Sequence, residues 1–317
     1  VRGGGFRVAR PDGFRLDAVK HLPLEFWARF NAEFDAPGFI RLGELLDGDA
    51  STVARTWKEG RFTSMFDFPL GFAIADVFCR GESPAKLAAV LTSDRRYPDA
   101  SALVTLVDNH DLPRIMSLCG GDLEKVKGAL AFLFAMRGVP SMTWGTEVGL
   151  DGQQEPDNRK SMRFVEHPLR GHVTEWMRRR AASAALRDGV AMPESIDGQR
   201  ASFVRATDSG DAVRVVVEAG AVRLEPAPAV SPERVAAWRT GGDLVDVRLE
   251  GQGAVVGSGP ELGDWQLARA RLLPVTLALP RFGVFEFKLV RGGRFEDGPN
   301  RVLLVKEPAR LTLTARD

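Results

Sequence analysis

Cysteine is scarce: Cys79 and Cys119 are the only two in 317 residues, so no disulfide framework of the kind that staples small secreted scaffolds is expected. They lie in no metal-ligand spacing and the sequence leaves open whether they pair. We read them as small buried hydrophobes. An excess of one charge is missing too. The 43 basic and 42 acidic side chains leave a formal charge of +1, too little field to gather nucleic acid or an anionic membrane, and a neutral ligand fits that balance best. No apolar run reaches the length of a membrane span, and the opening VRGGGFRVAR has no hydrophobic stretch like that of a secretory signal.

What is present is ordinary globular material, 44% hydrophobic, in a chain long enough for two or three domains. FRLDAV follows a Pro-Asp-Gly turn and reads as a strand. LPLEFWARFNAEF, with Leu22, Phe26, Phe30 and Phe34 at helical spacing, reads as the helix it feeds. The pattern returns at GFIRLGELL, at FTSMFDFPLGF with its alanine-rich sequel, and at SALVTLVDNHD, which leads into DLEKVKGALAFLFAMRG. A fifth round is VPSMTWG, and VTEWMRRRAASAAL closes the series as a helix with Gly189 at its end. Five strand-helix rounds predict a parallel sheet with right-handed crossovers, either an open doubly wound sheet or part of a barrel.

The polar residues favour the barrel. Asp17, Glu44 and Asp111 each stand at the C-terminal end of a predicted strand, the end at which barrels carry catalytic groups. One strand-helix unit separates Asp17 from Glu44 and two separate Glu44 from Asp111, so three carboxylates converge on one mouth. Like charges held close push one proton affinity up, and a pair of carboxyls then divides into an acid and a nucleophile. Such a pair is the equipment for cleaving glycosidic bonds.

With those residues in place a resemblance becomes specific. GFRLDAVKH resembles the fourth-strand signature of the alpha-amylase family of glycoside hydrolases, GELLDGD its fifth-strand segment and LVDNHD its seventh. The resemblance implies that Asp17 is the nucleophile, Glu44 the general acid and base, and Asp111 the residue that grips the sugar at the cleaved position. It implies further that Arg15 orients Asp17 and keeps it ionised, that His110 bonds the same sugar, and that Lys20 and His21 face the leaving group. PSMTWGTEVGL is similar to the eighth strand and its loop, and EPDNRKSM to a segment whose arginine, here Arg159, binds glucose further out; the family's aspartate is replaced by Glu155. The family's structural calcium implies a role for the backbone carbonyl of His21, its other ligands coming from segments absent here.

Beyond residue 190 the style changes. ASFVRA and AVRVVVEAGAVRL are short alternating strands, and EPAPAVSPE, with Pro226, Pro228 and Pro232, reads as a stiff linker. The remainder, with VVGSGPELGDWQLARA, FGVFEFKLV and RFEDGPNRVLLV, resembles a family-twenty starch-binding module. That likeness implies a sugar platform of Trp265 and Phe295 with Lys288 and Asn300 as polar contacts, against the plainer reading of Trp265 as a core indole. The arginines Arg178 to Arg180 read as a solvated helix face.

The expected fold is therefore α/β plus all-β: an incomplete (β/α) TIM-type barrel of strands four to eight over 1–189, a small β-domain over 190–228, and a C-terminal β-sandwich over 229–317. The expected activity is retaining hydrolysis of α-1,4 bonds in starch or maltodextrin, by a secreted protein that is a monomer when full length and binds neither nucleic acid nor membrane. Two alternatives share parts of this pattern: cyclodextrin glucanotransferase or another transglycosylase, and a non-catalytic glucan-binding protein. The glycines Gly3, Gly4 and Gly5 stand where the resemblance implies an amphipathic helix, and three strand-helix units have no room before Asp12. The chain is accordingly expected to be truncated and inactive by itself, with a module that folds and binds starch alone.

Overall fold

The computed structural model describes residues 11–314. The first ten, including Gly3, Gly4 and Gly5, lie outside the described residues, as do the last three.

Five short parallel strands form the first part: β1 (Gly13–Leu16), β2 (Ile40–Gly43), β3 (Ser64–Met65), β4 (Val104–Leu106) and β5 (Val139–Ser141). Register runs β1 to β2 to β3, a bridge from Phe66 to Val104 carries the arc to β4, and β4 pairs β5. The connecting helices are α1 (Leu24–Ala32), α2 (Ala50–Glu59), α3 (Phe68–Ile74), α4 (Ala85–Thr92) and α5 (Leu123–Ala135), and α6 (Pro168–Ala182) closes the series. Local chemistry sets their starts. Asp49 accepts from the amides of Ser51 and Thr52 at the head of α2, and Asp122 from those of Glu124 and Lys125 at the head of α5. Every residue of α5 from Gly128 to Ala135 is buried, which makes it the central strut, while α6 buries Leu169, Val173 and Trp176 on one face.

Helix α1 departs from its sequence pattern. The buried positions are Trp27 and Asn31, whose side chains bond the carbonyls of Val19 and Gly60, whereas Leu22 and Phe26 are exposed. Phe26, Phe30 and Phe34 form a ladder of rings that continues to Phe14 and Phe39. The helix is thus turned so that Trp27 enters the apolar cluster of Val19, Leu45 and Phe62, with Phe30 at its edge. The cysteines, whose pairing the sequence leaves open, are both buried as expected, and Cys79 and Cys119 are joined in a disulfide. Arg180 is no solvated residue: its guanidinium donates to the carbonyls of Phe134, Met136 and Gly138 at the C-terminal end of α5. Fully buried Arg205 donates to Ala135, Leu186 and Gly189 beside it. Carbonyls that a helix end leaves unpaired are met by two cations, which the helix dipole favours.

Strands β6 (Val190–Asp197), β7 (Arg200–Ala206), β8 (Ala212–Glu218) and β9 (Ala221–Pro226) make an antiparallel sheet in sequential order. Its inner residues Phe203, Val215 and Val217 share one core with α5 and α6. The proline-rich stretch read as a linker instead enters helix α7 (Pro232–Thr240), capped by Ser231. Val235 and Trp238 of α7 pack on Met192 and Val204, so the helix belongs to this small domain.

The last part is a sandwich. One sheet has the order β13 (Val275–Pro280), β10 (Leu244–Gly251), β17 (Ala309–Leu313). The other has β12 (Arg271–Leu272), β11 (Ala254–Gly257), β14 (Val284–Arg291) and β15 (Arg294–Phe295), with β16 (Arg301–Leu304) also on β14. Val247, Leu249 and Leu279 of one sheet meet Val255, Phe285 and Leu289 of the other.

Candidate active site

Parallel pairing brings the first two carboxylates together. The Glu44 amide donates to the Leu16 carbonyl at 2.9 Å and the Val19 amide to the Glu44 carbonyl at 2.9 Å, so Asp17 and Glu44 leave adjacent strand ends on the same side. Ala18, at φ 44°, turns the chain sharply behind Asp17. One guanidinium serves both acids: Arg15 Nη1 lies 2.6 Å from Asp17 Oδ1, and Nη2 lies 2.5 Å from Glu44 Oε2. The two carboxyls are near enough for each to shift the other's proton affinity.

Their environments differ. Asp17 is 70% exposed and Glu44 only 8%. Neighbouring Glu44 and Arg15 hold the Asp17 carboxyl below the usual carboxylate range, with the charge of His110 adding to the effect. Burial, followed by the neighbouring Asp17 carboxyl, raises Glu44 above it. At a pH between the two, Asp17 is an anion and Glu44 keeps its proton.

The third carboxylate comes from the loop after β4. Buried Asp108 anchors that loop, taking Arg114 Nε at 3.2 Å and the Ile115 amide at 2.8 Å, while its carbonyl accepts from Thr143. His110 and Asp111 are thereby presented together, His110 Nε2 lying 3.4 Å from Asp111 Oδ2. Arg159 donates to Asp111 Oδ1 at 2.8 Å and to the His110 carbonyl at 3.0 Å, and Asn158 bonds the same carbonyl. Arg159 thus pairs with the third of the three carboxylates; Glu155 is its other partner, at 3.4 Å. Lys20 and His21 lie exposed on the 3-10 turn that follows Asp17.

Sequence reasoning missed Asp108 and Arg114, although Asp108 lies inside LVDNHD. The signal was the pairing of an acid and an arginine six residues apart around a strand end. It also missed Trp144, which is partly exposed, donates to the Lys160 carbonyl and lies with its ring 5.5 Å from the Arg114 guanidinium.

In the sandwich, Trp265, Lys288, Phe295 and Asn300 line one open cleft of about 300 Å³. Both aromatic rings are partly exposed. The Lys288 ammonium donates to the carbonyls of Glu296 and Gly298.

Calcium takes six to eight oxygens, as a rule with several carboxylates among them. Among the described residues no group of three or more His, Cys, Asp or Glu side chains could hold a metal ion, so the carbonyl of His21 has no cage around it there. No helix of the described residues is long and apolar enough to cross a membrane.

A family model described as alpha amylase, catalytic domain, matches residues 8–204. The beta/alpha-amylase of Paenibacillus polymyxa is 31% identical over 210 residues, covering 64% of this chain and 17% of that protein. The alpha-amylase of Streptomyces lividans is 29% identical over 297 residues, covering 79% of this chain and 31% of that protein. A cyclomaltodextrinase of Geobacillus thermopakistaniensis is 29% identical over 219 residues, 65% of this chain and 36% of that protein. The chain therefore spans well under half the length of these curated relatives. Among solved structures, an alpha-amylase from Geobacillus thermoleovorans complexed with acarbose superposes with a TM-score of 0.63 over 95% of this chain and 59% of its own, at 23% identity, a likeness of fold.

Proposed function

The chain belongs to the alpha-amylase family of glycoside hydrolases, and from that premise we propose that it carries the reacting carboxyls of a retaining α-glucan hydrolase acting on starch or maltodextrin. The observation that supports this most directly is the single guanidinium of Arg15 bridging two carboxyls whose proton affinities are driven apart. Protonated Glu44 gives its proton to the glycosidic oxygen while the Asp17 carboxylate attacks the anomeric carbon, and the leaving sugar departs as an alcohol. Glu44, now a base, takes a proton from water whose oxygen attacks the same carbon and expels Asp17. Two inversions retain the α configuration. Asp111 and His110 hold the hydroxyls of the reacting sugar. A retaining pair works about 5 Å apart, a spacing that lets the glucosyl unit lie between Asp17 and Glu44.

In this reading the five-strand arc is strands four to eight of a barrel, and three further strands are needed to close the cleft. Trp265 and Phe295 supply stacking faces and Lys288 and Asn300 the polar contacts of a glucan-binding module. A polymeric substrate places the protein outside the cell, in agreement with a disulfide that an oxidising compartment preserves. The cyclomaltodextrinase among the relatives favours cyclic maltodextrins as a second substrate.

The test is product analysis with the parent protein on soluble starch and on β-cyclodextrin, followed by NMR. Linear products released first as the α-anomer are expected. Release of the β-anomer would remove Asp17 as nucleophile, and cyclic or disproportionated products would replace hydrolysis by transglycosylation.

A further inference from the structure

The tryptophan of the sugar cleft occupies an unusual backbone. Gly263, Asp264 and Trp265 are three successive left-handed residues, at φ 84°, 51° and 59°. Glycine adopts this region freely, but an aspartate and a tryptophan do so only when the surroundings compel them. Two main-chain bonds help, from the Asp264 amide to the Gly259 carbonyl and from the Trp265 amide to the Gly257 carbonyl, each 2.9 Å. The side-chain hold comes from another domain. The Asp264 carboxylate pairs with Arg96, both groups being less than 20% exposed, and Arg269 of the module stands 3.9 Å from its other oxygen.

Arg96 is itself firmly placed. It ends the 3-10 turn Ser93–Arg96 after α4, and that turn is fixed from several sides. Asp94 is gripped by Arg137 within the strand-helix unit, and the hydroxyl of Thr92 accepts from the Val284 amide of the sandwich at 2.8 Å. Arg95 meets Glu261 in a two-pronged contact at 2.8 and 2.9 Å. Arg95 and Arg96 therefore contact one loop of the module, yet only Arg96 reaches the residue next to Trp265.

We propose that Arg96 is a positioning residue for glucan binding: through Asp264 it holds the left-handed corner that aims the Trp265 indole across the cleft. This rests on the reading of Trp265 as a sugar platform. Arg95, in contrast, joins the domains without setting the indole's direction.

The experiment is calorimetric titration of the full chain with β-cyclodextrin. Arg96→Ala and Asp264→Asn are each expected to raise the dissociation constant about fivefold or more, Arg96→Lys to recover part of that loss, and Arg95→Ala to stay within about twofold. Adding Arg96→Ala to Trp265→Ala should cost nothing further. Equal weakening by Arg95→Ala and Arg96→Ala would make Arg96 ordinary domain contact and overturn the proposal. Unchanged binding by Arg96→Ala, with binding lost in Trp265→Ala, would overturn it and leave the platform standing. Normal binding by Trp265→Ala would remove the platform and the proposal with it. Should Arg96→Ala not fold, the nearly isosteric Asp264→Asn decides between the same outcomes.

Discussion

Arg15 touches both acids and favours the ionised form of each, so removing it should raise both proton affinities. It lowers the proton affinity of Asp17 and opposes the rise at Glu44. In the parent enzyme kcat/KM should fall on the acid side only below the ordinary carboxylate range, where Asp17 gains its proton, and on the alkaline side above that range, where Glu44 loses its own. Glu44→Gln should abolish the alkaline limb along with most of the rate, and Arg15→Ala should move both limbs upward. Asp17→Asn should lower turnover by about a thousandfold or more with little change in melting temperature, because the swap is nearly isosteric and removes only the attacking charge. An Asp17→Asn enzyme keeping a tenth of its activity would end the nucleophile assignment. At the platform, Trp265→Ala should weaken granular starch binding by about 1–3 kcal/mol, read from adsorption isotherms. The meeting of Asp17 with Glu44 around Arg15, and of His110 with Asp111, was legible from their places at strand ends. The pairing of Arg159 with Asp111, and of Arg96 with Asp264, was not: each joins residues far apart in sequence, and neither belongs to a periodic pattern.

At the scale of elements, periodicity located the strands and helices but misjudged what they face. Phe26, Phe30 and Phe34 repeat like a core stripe, yet Trp27 and Asn31 are the buried side: Trp27 packs with Val19, Leu45 and Phe62, and each of the two bonds a carbonyl. Prolines 226, 228 and 232 suggested a linker, but Pro232 begins a helix, a position where a missing N–H costs nothing. The cysteines gave no sign of pairing because their partnership depends on the packing of the helical turn at Cys79 against the end of the short helix before Cys119. Closing 40 residues of chain, the bridge should contribute about 4 kcal/mol through the entropy of the unfolded state. Urea unfolding with and without dithiothreitol measures this, and Cys79→Ala with Cys119→Ala should reproduce the reduced midpoint. An unchanged midpoint would mean that the thiols are free in solution.

For the whole molecule the decisive contacts are those between parts that sequence treats as separate. Val284 of the sandwich is fully buried in the core shared by α5, α6 and the small β-domain, and Arg95–Glu261 and Arg96–Asp264 flank it. Scanning calorimetry of the chain should therefore show the sandwich unfolding together with α4 and the small domain. Because these ion pairs are largely shielded from solvent, about 1 M salt should not split the transition. A separate early peak, matching that of residues 243–317 alone, would show that the contact is too weak to couple them. The turn Ser93–Arg96 has one further consequence, for how such a protein would meet an insoluble substrate. A binding module on a flexible tether sweeps a volume, so its enzyme searches many neighbouring chains from a single anchorage. If the sandwich binds glucan as proposed, the turn would instead fix the spacing between anchorage and cutting site like the jaws of a caliper, and each glucan strand outside that gap would have to be reached by letting go and landing again.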